Sequence, residues 1–169
     1  MKNSEPDKSK GALNSALRIL TRRDHSRYEL VQKLNQRGFS REDIDNAISA
    51  CERFDYINDI RTAQVYIRQL KRKGYGKKRI KLALNKKGLK GRRIMGILEE
   101  SVSLPDERES AVQILRKHMH RFEREREVAK RRDKIYRFLH TRGFAPEVIA
   151  EAIKSYHPKD NLNGIDSKR

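Results

Sequence analysis

The chain has 169 residues and a formal net charge of +18 at pH 7, with 38% charged and 36% hydrophobic residues. So small an apolar share favours several small helical units, each burying a narrow stripe, over one thick globular core. The single cysteine, Cys51, allows no internal disulfide and indicates a reducing compartment. No apolar run approaches membrane-spanning length, and the first residues lack the apolar core of a signal peptide. The sequence therefore predicts a soluble, cytoplasmic protein with no membrane partner.

Local signals place the first helices. The helical period begins at Ala12, which predicts a loose N-terminus over residues 1–11. Ser26 followed by Glu29 is a capping-box pattern, in which a hydroxyl and a carboxylate satisfy free N–H groups at the start of a second helix. Ser40 is placed to cap a third helix.

A pattern of Leu, a Gly four residues later and then an apolar residue occurs three times, about 50 residues apart. The three copies are Leu34-x-x-x-Gly38-Phe39, Leu84-x-x-x-Gly88-Leu89 and Leu139-x-x-x-Gly143-Phe144. Such periodicity predicts an all-α fold of three tandem three-helix, helix-turn-helix-like repeats forming an elongated, curved array. The expected boundaries are 12–58, 59–102 and 103–156, with a disordered tail over 157–169.

The third repeat differs from the other two in its charge pattern. Residues 120–127 alternate in sign and have little to bury, so a longer first helix is expected there. That helix either continues as a solvent-bridging segment or breaks near Phe122. Pro146 fits the first turn of the last helix.

Charge is concentrated in the middle repeat. Between Arg61 and Glu100 there are fourteen Lys and Arg residues and two Glu, a net +12 of the chain's +18, and no acid precedes Glu99. We call Arg61–Leu98 the basic stretch. Because such a segment repels itself, it makes most sense facing a polyanion. A merely solvated helix face is the alternative, but such faces normally interleave both signs.

Helical geometry predicts where these cations point. On the helix expected near residues 60–72, apolar residues form one stripe, and Arg61, Arg68 and Arg72 fall on the opposite side. The glycines of the turn at 73–77 allow close approach to a phosphate or another chain, and Tyr75 is expected to pack at that turn. Together these residues predict one continuous cationic surface. The predicted contacts to nucleic acid or a partner are Arg61, Arg68, Lys71, Arg72, Lys73, Lys77, Lys78, Arg79, Lys81, Lys86, Lys87, Arg92 and Arg93.

The sequence contains no recognisable catalytic constellation. The five histidines do not combine with Cys or acidic residues at metal-ligand spacing, and paired carboxylates in an apolar setting are missing. A non-enzymatic binding protein without a cofactor is therefore expected. A general DNA- or RNA-binding helix-turn-helix protein stays open, although few Asn and Gln are placed to read bases, which favours backbone contact.

Three motifs resemble those of the RecX family of recombination regulators. They are Arg23-Asp24-His25-Ser26-x-x-Glu29-Leu30, Lys73-Gly74-Tyr75-Gly76-x-x-Arg79-Ile80 and Arg142-Gly143-Phe144. The resemblance covers roughly residues 12–156. It implies a protein that binds the RecA recombinase filament and single- and double-stranded DNA, and that inhibits RecA without hydrolysing anything itself. The separate small helical units suggest a monomer.

The sequence departs from the family pattern between the first two repeats. Asp55 stands where that family usually has Gly, and Thr62 where it usually has Phe. Asp59 is expected to cap the following helix, so that the fold survives both changes.

Overall fold

A computed structural model describes the backbone of residues 5–155 and the side chains from Lys10 onward. Within residues 5–155 the chain is helical and contains no strand, as the sequence predicted. The helices are α1 (Glu5–Leu20), α2 (Arg27–Asn35), α3 (Arg41–Arg53), α4 (Asp59–Arg72), α5 (Lys77–Lys86), α6 (Arg92–Ser101), α7 (Leu104–Lys117), α8 (Met119–Glu123), α9 (Val128–Thr141) and α10 (Pro146–Ser155).

Two predictions about the chain ends have different outcomes. Helix α1 begins at Glu5, so residues 5–11 are not the loose segment that the apolar period suggested. The predicted disordered tail at 157–169 lies outside the described residues.

The chain forms two compact units. Of the described residues, the first unit contains those up to Gln69 together with Lys81–Ser101, and the second contains Leu70–Ile80 together with those from Val102 onward. The predicted boundaries of the three repeats stay a prediction.

Each unit has its own apolar core. In the first unit, α1, α2 and α3 pack together, and a side-chain cluster that includes Leu30, Leu34 and Ile48 is buried between them. Cys51 belongs to this core and is fully buried, as its position on an inward helix face predicted. In the second unit, α7 and α9 pack on α10 around a cluster that includes Leu139 and Phe144. The apolar periodicity of the sequence therefore marks the core faces correctly.

The repeated Leu-x-x-x-Gly pattern forms the same turn three times. Gly38, Gly88 and Gly143 have φ angles of 78°, 72° and 85°, in the left-handed region that favours glycine. In each copy the amide after the glycine donates to the carbonyl of the buried Leu, with N···O distances of 3.5, 3.0 and 3.3 Å. We call this the repeat turn. Its recurrence gives the sequence repeat a structural counterpart.

The caps at the first helices agree with their sequence signals. Ser26 accepts a hydrogen bond from the Glu29 amide, while the Glu29 carboxylate accepts one from the Ser26 amide, which completes the capping box. Ser40 caps α3 by accepting from the amide of Asp43 at 3.1 Å.

The cap of α4 differs from the prediction. Asn58, rather than Asp59, starts this helix, because its Oδ1 accepts the amides of Ile60 and Arg61 at 3.1 and 3.0 Å. The carboxylate of Asp59 instead accepts the amide of Arg27, at the start of α2, at 2.8 Å. A single carboxylate thus satisfies a helix start that is 32 residues away in the chain.

The longer first helix expected in the third repeat does not form. Helix α7 ends at Lys117, and the short α8 follows it. Nδ1 of His118 lies 2.9 Å from the carbonyl of Ile114. In a continuous α-helix this carbonyl would accept the backbone amide of His118. The His118 amide bonds to the carbonyl of Leu115 instead, and Phe122 turns into the core. The break therefore comes four residues before Phe122.

Within the part of the chain that the structure describes, every helix is too short or too polar to cross a membrane.

Candidate functional site

The predicted contact residues divide between the two compact units. The first unit holds Arg61, Arg68, Lys81, Lys86, Lys87, Arg92 and Arg93. The second holds Lys71, Arg72, Lys73, Lys77, Lys78 and Arg79. The single continuous cationic surface that was expected from these residues stays a prediction.

The outward stripe expected on α4 is present. Arg61, Arg68 and Arg72 are exposed on α4, while Ile67 of the same helix is fully buried. In all, eight predicted contact residues are exposed, and their side chains form no ion pair, hydrogen bond or ring contact with any residue from Lys10 to residue 155. They are Arg68, Arg72, Lys73, Lys78, Lys81, Lys86, Arg92 and Arg93. These side chains can reach an anionic partner without first breaking an ion pair.

Arg61 is held by its own chain. Its guanidinium bonds to the carboxylate of Asp55 and, at 2.8 Å, to the Asp55 carbonyl. Asp55 has a φ of 54°, an uncommon conformation for a residue other than glycine. Hydrogen bonds from Asn58 and Arg61 hold the turn and lower the pKa of the Asp55 carboxyl. Arg61 therefore stabilises the turn between α3 and α4, which makes it a weaker candidate for an external contact.

Lys87 is also engaged inside the first unit. Its Nζ lies 2.6 Å from the Glu29 carboxylate and 4.9 Å from the centroid of the Tyr66 ring. Burial by itself would raise the pKa of Glu29, but hydrogen bonds from Arg23 and Lys87 outweigh it and lower this pKa to about 2. Lys87 thus neutralises a carboxylate that also caps α2.

The glycine-containing turn at 73–77 contacts its own chain. The Gly76 amide donates to the carbonyl of Arg142 at 2.8 Å, and the Lys78 amide donates to that of Gly143 at 3.1 Å. A Cβ on Gly76 would lie 2.5 Å from the Gly143 oxygen and the Phe144 nitrogen. The close approach that Gly76 allows is therefore to the repeat turn of the third repeat, while Gly74 lies against the side chain of Ile114. The sequence analysis considered a phosphate or another chain at this position, but the structure has the protein's own backbone there.

Two guanidinium groups lie close to the ring of Tyr75 in the second unit. The Cζ atoms of Arg79 and Arg142 are 4.4 and 5.9 Å from its ring centroid. Arg142 also lies 4.6 Å from the ring of Phe138, and Arg79 donates to the carbonyl of Thr141 at 2.7 Å. Arg79 and Tyr75 thus help to hold this turn together, which agrees with the packing role expected of Tyr75.

A buried acid fixes the start of α5. The Glu107 side chain is 5% exposed and accepts the Lys77 amide at 2.9 Å. Burial raises the pKa of Glu107, and the hydrogen bond from Lys77 opposes this shift. Sequence reasoning missed this role, because Glu107 lies 30 residues away and looks like an ordinary first-turn acid of α7.

The first unit repeats this docking with different side chains. The Ser26 hydroxyl donates to the carbonyl of Lys87 at 2.5 Å, and a Cβ on Gly88 would clash with Tyr28. In both units, the start of the second helix of one repeat therefore docks on the repeat turn of the following repeat. Ser26 and Gly76 are 50 residues apart and hold corresponding places.

Its charge and fold place the protein in the class of basic, all-helical proteins built from tandem three-helix units. Family models match at both ends of the described chain: "RecX, first three-helix domain" at residues 12–51 and "RecX, third three-helix domain" at residues 106–153. The chain is 37% identical over 145 residues to "Regulatory protein RecX" of Legionella pneumophila (strain Corby), covering 85% of this chain and 93% of the relative. It is 34% identical to the protein of that name from Pasteurella multocida (strain Pm70), covering 86% and 87%.

A solved structure agrees with these sequence comparisons. The crystal structure of RecX from Lactobacillus salivarius matches with a TM-score of 0.79 and 26% identity, covering 89% of this chain and 97% of that one. The chain belongs to the RecX family, as its motifs suggested.

Proposed function

We propose that this protein binds the RecA–DNA filament and inhibits RecA recombinase and its ATP hydrolysis, thereby modulating recombination and DNA repair. Membership in a family of regulatory proteins supports a regulatory role. The observation that carries the proposal is the basic stretch, which contains no acid and includes eight exposed predicted contacts whose side chains have no partner between Lys10 and residue 155. We further propose that the protein acts as a cytoplasmic monomer without catalytic activity of its own.

The structure refines which residues are proposed to make the contact. Arg61, Arg79 and Lys87 are bonded within their own units and are given lower weight. The eight exposed cations of the basic stretch are the preferred contacts to DNA phosphates or to acidic residues of the filament. Phosphates favour guanidinium and ammonium groups in such positions, and each neutralised phosphate releases counterions.

The direct test is RecA-dependent ATP turnover on single-stranded DNA, measured with increasing amounts of this protein. We expect inhibition at or below equal amounts of the two proteins. The variant Arg68→Glu/Arg72→Glu/Lys78→Glu reverses three exposed charges and should inhibit at least tenfold less well, since each reversal replaces an attraction by a repulsion. Full RecA activity at equimolar wild-type protein would refute the proposal.

A matched control separates the site from net charge. Arg41→Glu/Lys117→Glu/Arg132→Glu reverses three exposed cations outside the basic stretch and changes the net charge by the same amount. This control should inhibit like the wild type. Equal losses in both triple variants would mean that overall charge, and not the basic stretch, is responsible.

The second candidate is a general DNA- or RNA-binding protein that acts independently of RecA. The basic stretch favours it too, because an acid-free run of cations needs only a polyanion. If about six cations meet phosphates, the logarithm of the binding constant should fall with the logarithm of salt concentration with a slope near −4 to −5. Tight binding of this kind to nucleic acid alone, without inhibition of RecA, would establish this candidate instead.

A further inference from the structure

A second cationic site is present in the first unit, outside the basic stretch. A cleft of about 430 Å³ lies between α1, the turn that follows it and α2. Its charged and titratable lining residues are Arg18, Arg22, His25, Lys33 and Arg37. We call it the first-unit cleft. Its volume falls within the roughly 300–1,000 Å³ typical of pockets for small ligands.

The fold separates charges that are mixed in the sequence. Residues 1–60 contain eleven Lys and Arg against ten acids, so this segment is nearly neutral. Nevertheless, four cations and no acid line the cleft among its described residues. Nearby acids are paired elsewhere: Glu29 with Arg23 and Lys87, and Glu52 with Arg27. Among the side chains that the structure describes, the cations of the cleft therefore have no acidic partner.

His25 supplies a buried polar group to the cleft. It is only 4% exposed, and its Nδ1 lies 2.9 Å from the carbonyl of Arg23. The other ring nitrogen, Nε2, has no hydrogen-bond partner among the described residues, although buried polar atoms are nearly always bonded. Burial, together with Arg23 and Lys33, lowers the pKa of His25, and Glu29 opposes them. An anion in the cleft would favour the protonated ring and give Nε2 a partner.

We propose that the first-unit cleft binds a phosphate group of a nucleic-acid strand. Three of its four cations are arginines, whose planar guanidinium groups donate two parallel hydrogen bonds to phosphate oxygens. Asn14 adds a neutral polar group to the lining, while Ser15 orients one of the cations, because its hydroxyl and its carbonyl accept hydrogen bonds from Arg37. A phosphate with its sugar fits the volume, and four cations exceed what a single carboxylate of an acidic peptide needs. This site would act in addition to the basic stretch and does not depend on it.

The test uses two double variants with the same change in net charge. Arg18→Gln/Lys33→Gln removes two exposed cations from the cleft, and Arg41→Gln/Arg53→Gln removes two exposed cations elsewhere on the first unit. Binding of a fluorescent oligothymidylate is measured by anisotropy over a range of salt concentrations. We expect the cleft variant to bind about tenfold more weakly than the control, with a salt slope shallower by about 1.4 for two lost contacts.

A second readout reports the site itself. Inorganic phosphate is titrated into the full chain while the ring protons of His25 are followed by NMR, assigned with His25→Gln. We expect saturable shifts and a raised pKa of His25 in the wild type and in the control variant, and at least tenfold weaker binding in the cleft variant.

Further arms identify the source of the phosphate. A strand bound tightly only when it carries a 5′-phosphate indicates a terminal phosphomonoester, whereas equal binding with and without it indicates an internal phosphodiester. Either result supports the site. Equal strand affinity of the two double variants overturns the proposal, as does an unchanged His25 spectrum in phosphate. If polyglutamate binds the cleft more tightly than the oligothymidylate strand does, the proposal is overturned in favour of an acidic peptide as the ligand. The triple variant of the basic stretch retains the cleft, so failure of either proposal is distinguishable from failure of the other.

Discussion

Replacing Gly76 with Ala tests whether the turn at 73–77 stabilises the second unit. The added methyl would lie 2.5 Å from the Gly143 carbonyl oxygen and the Phe144 nitrogen, which are backbone atoms that cannot rotate away. Relief requires the two turns to separate, which weakens the hydrogen bonds from the amides of Gly76 and Lys78. Overpacking of this kind costs about 2–3 kcal/mol. For a chain of this length that corresponds to a fall in melting temperature of roughly 5–10 °C.

Gly96 provides the control. It lies in α6, and a Cβ built there meets nothing within 4 Å. Because alanine loses less backbone entropy than glycine in a helix, Gly96→Ala should raise stability by about 0.5–1 kcal/mol. Urea denaturation followed by far-ultraviolet circular dichroism measures both variants, and amide hydrogen exchange at Lys78 reports the turn directly. A Gly76→Ala protein as stable as the wild type, with unchanged exchange at Lys78, would refute the role assigned to this contact.

Three further predictions concern acids that lie at helix ends. Because the folded pKa of Glu29 is lowered to about 2, its ionised form stabilises the folded state at neutral pH, and this stabilisation is lost as pH falls from about 4.5 toward 2. Glu29→Gln should lower the free energy of unfolding at pH 7 by about 1–2 kcal/mol, after allowance for solvent screening, and should reduce the dependence of that free energy on pH below 4.5 in denaturation experiments. Burial raises the folded pKa of Glu107, so its titration favours the folded state at low pH and this benefit is lost as pH rises through the folded pKa. Glu107→Gln should remove that pH dependence and keep an acceptor for the Lys77 amide, whereas Glu107→Ala should cost a further 1–3 kcal/mol, roughly, in the same assay. Asp55→Gly should destabilise less than Asp55→Ala, because glycine tolerates the φ of 54°; the opposite order in melting temperature would contradict this explanation.

Local features of the fold could be predicted well from the sequence. The capping box at Ser26 and the repeat turn at Gly38 depend on residues within five positions of one another. Their geometry follows from side-chain chemistry and from the conformational freedom of glycine, whatever the rest of the chain does. For the same reason, three copies of one turn were enough to predict a repeat.

Long-range partners could not be predicted in this way. Asp59 has the sequence position of a cap for α4, yet it bonds to Arg27 at the start of α2. Lys87 and Arg79 look like members of a cationic stripe, and only the folded chain brings them to Glu29 and to the carbonyl of Thr141. Helical phase predicts which side of a helix a residue faces. It does not predict what the neighbouring segment supplies there.

Charge counted along the sequence was misleading for the first unit. The near neutrality of residues 1–60 gave no signal of a cationic cleft, because acids and cations alternate along the chain. Separation of the two signs depends on which acids find partners after folding, as Glu52 does with Arg27. The net charge of a sequence segment therefore reveals a continuous run of exposed cations more readily than a cationic cleft that forms only on folding.

The interleaving of the two units has a consequence for synthesis of the chain. The first unit needs residues 81–101, and the second needs residues 70–80, so the segment used by the second unit emerges from the ribosome first. During translation, residues 70–80 emerge before the chain beyond residue 102 with which they pack, and residues 81–101, which complete the first unit, emerge in between. A truncation at residue 69 would leave the first unit without its last segment, and a fragment starting at residue 102 would lack Gly76, whose amide donates to Arg142 beside the repeat turn at Gly143. The segments that pack together therefore differ from the segments that repeat, and each unit consists of two separate stretches of the chain.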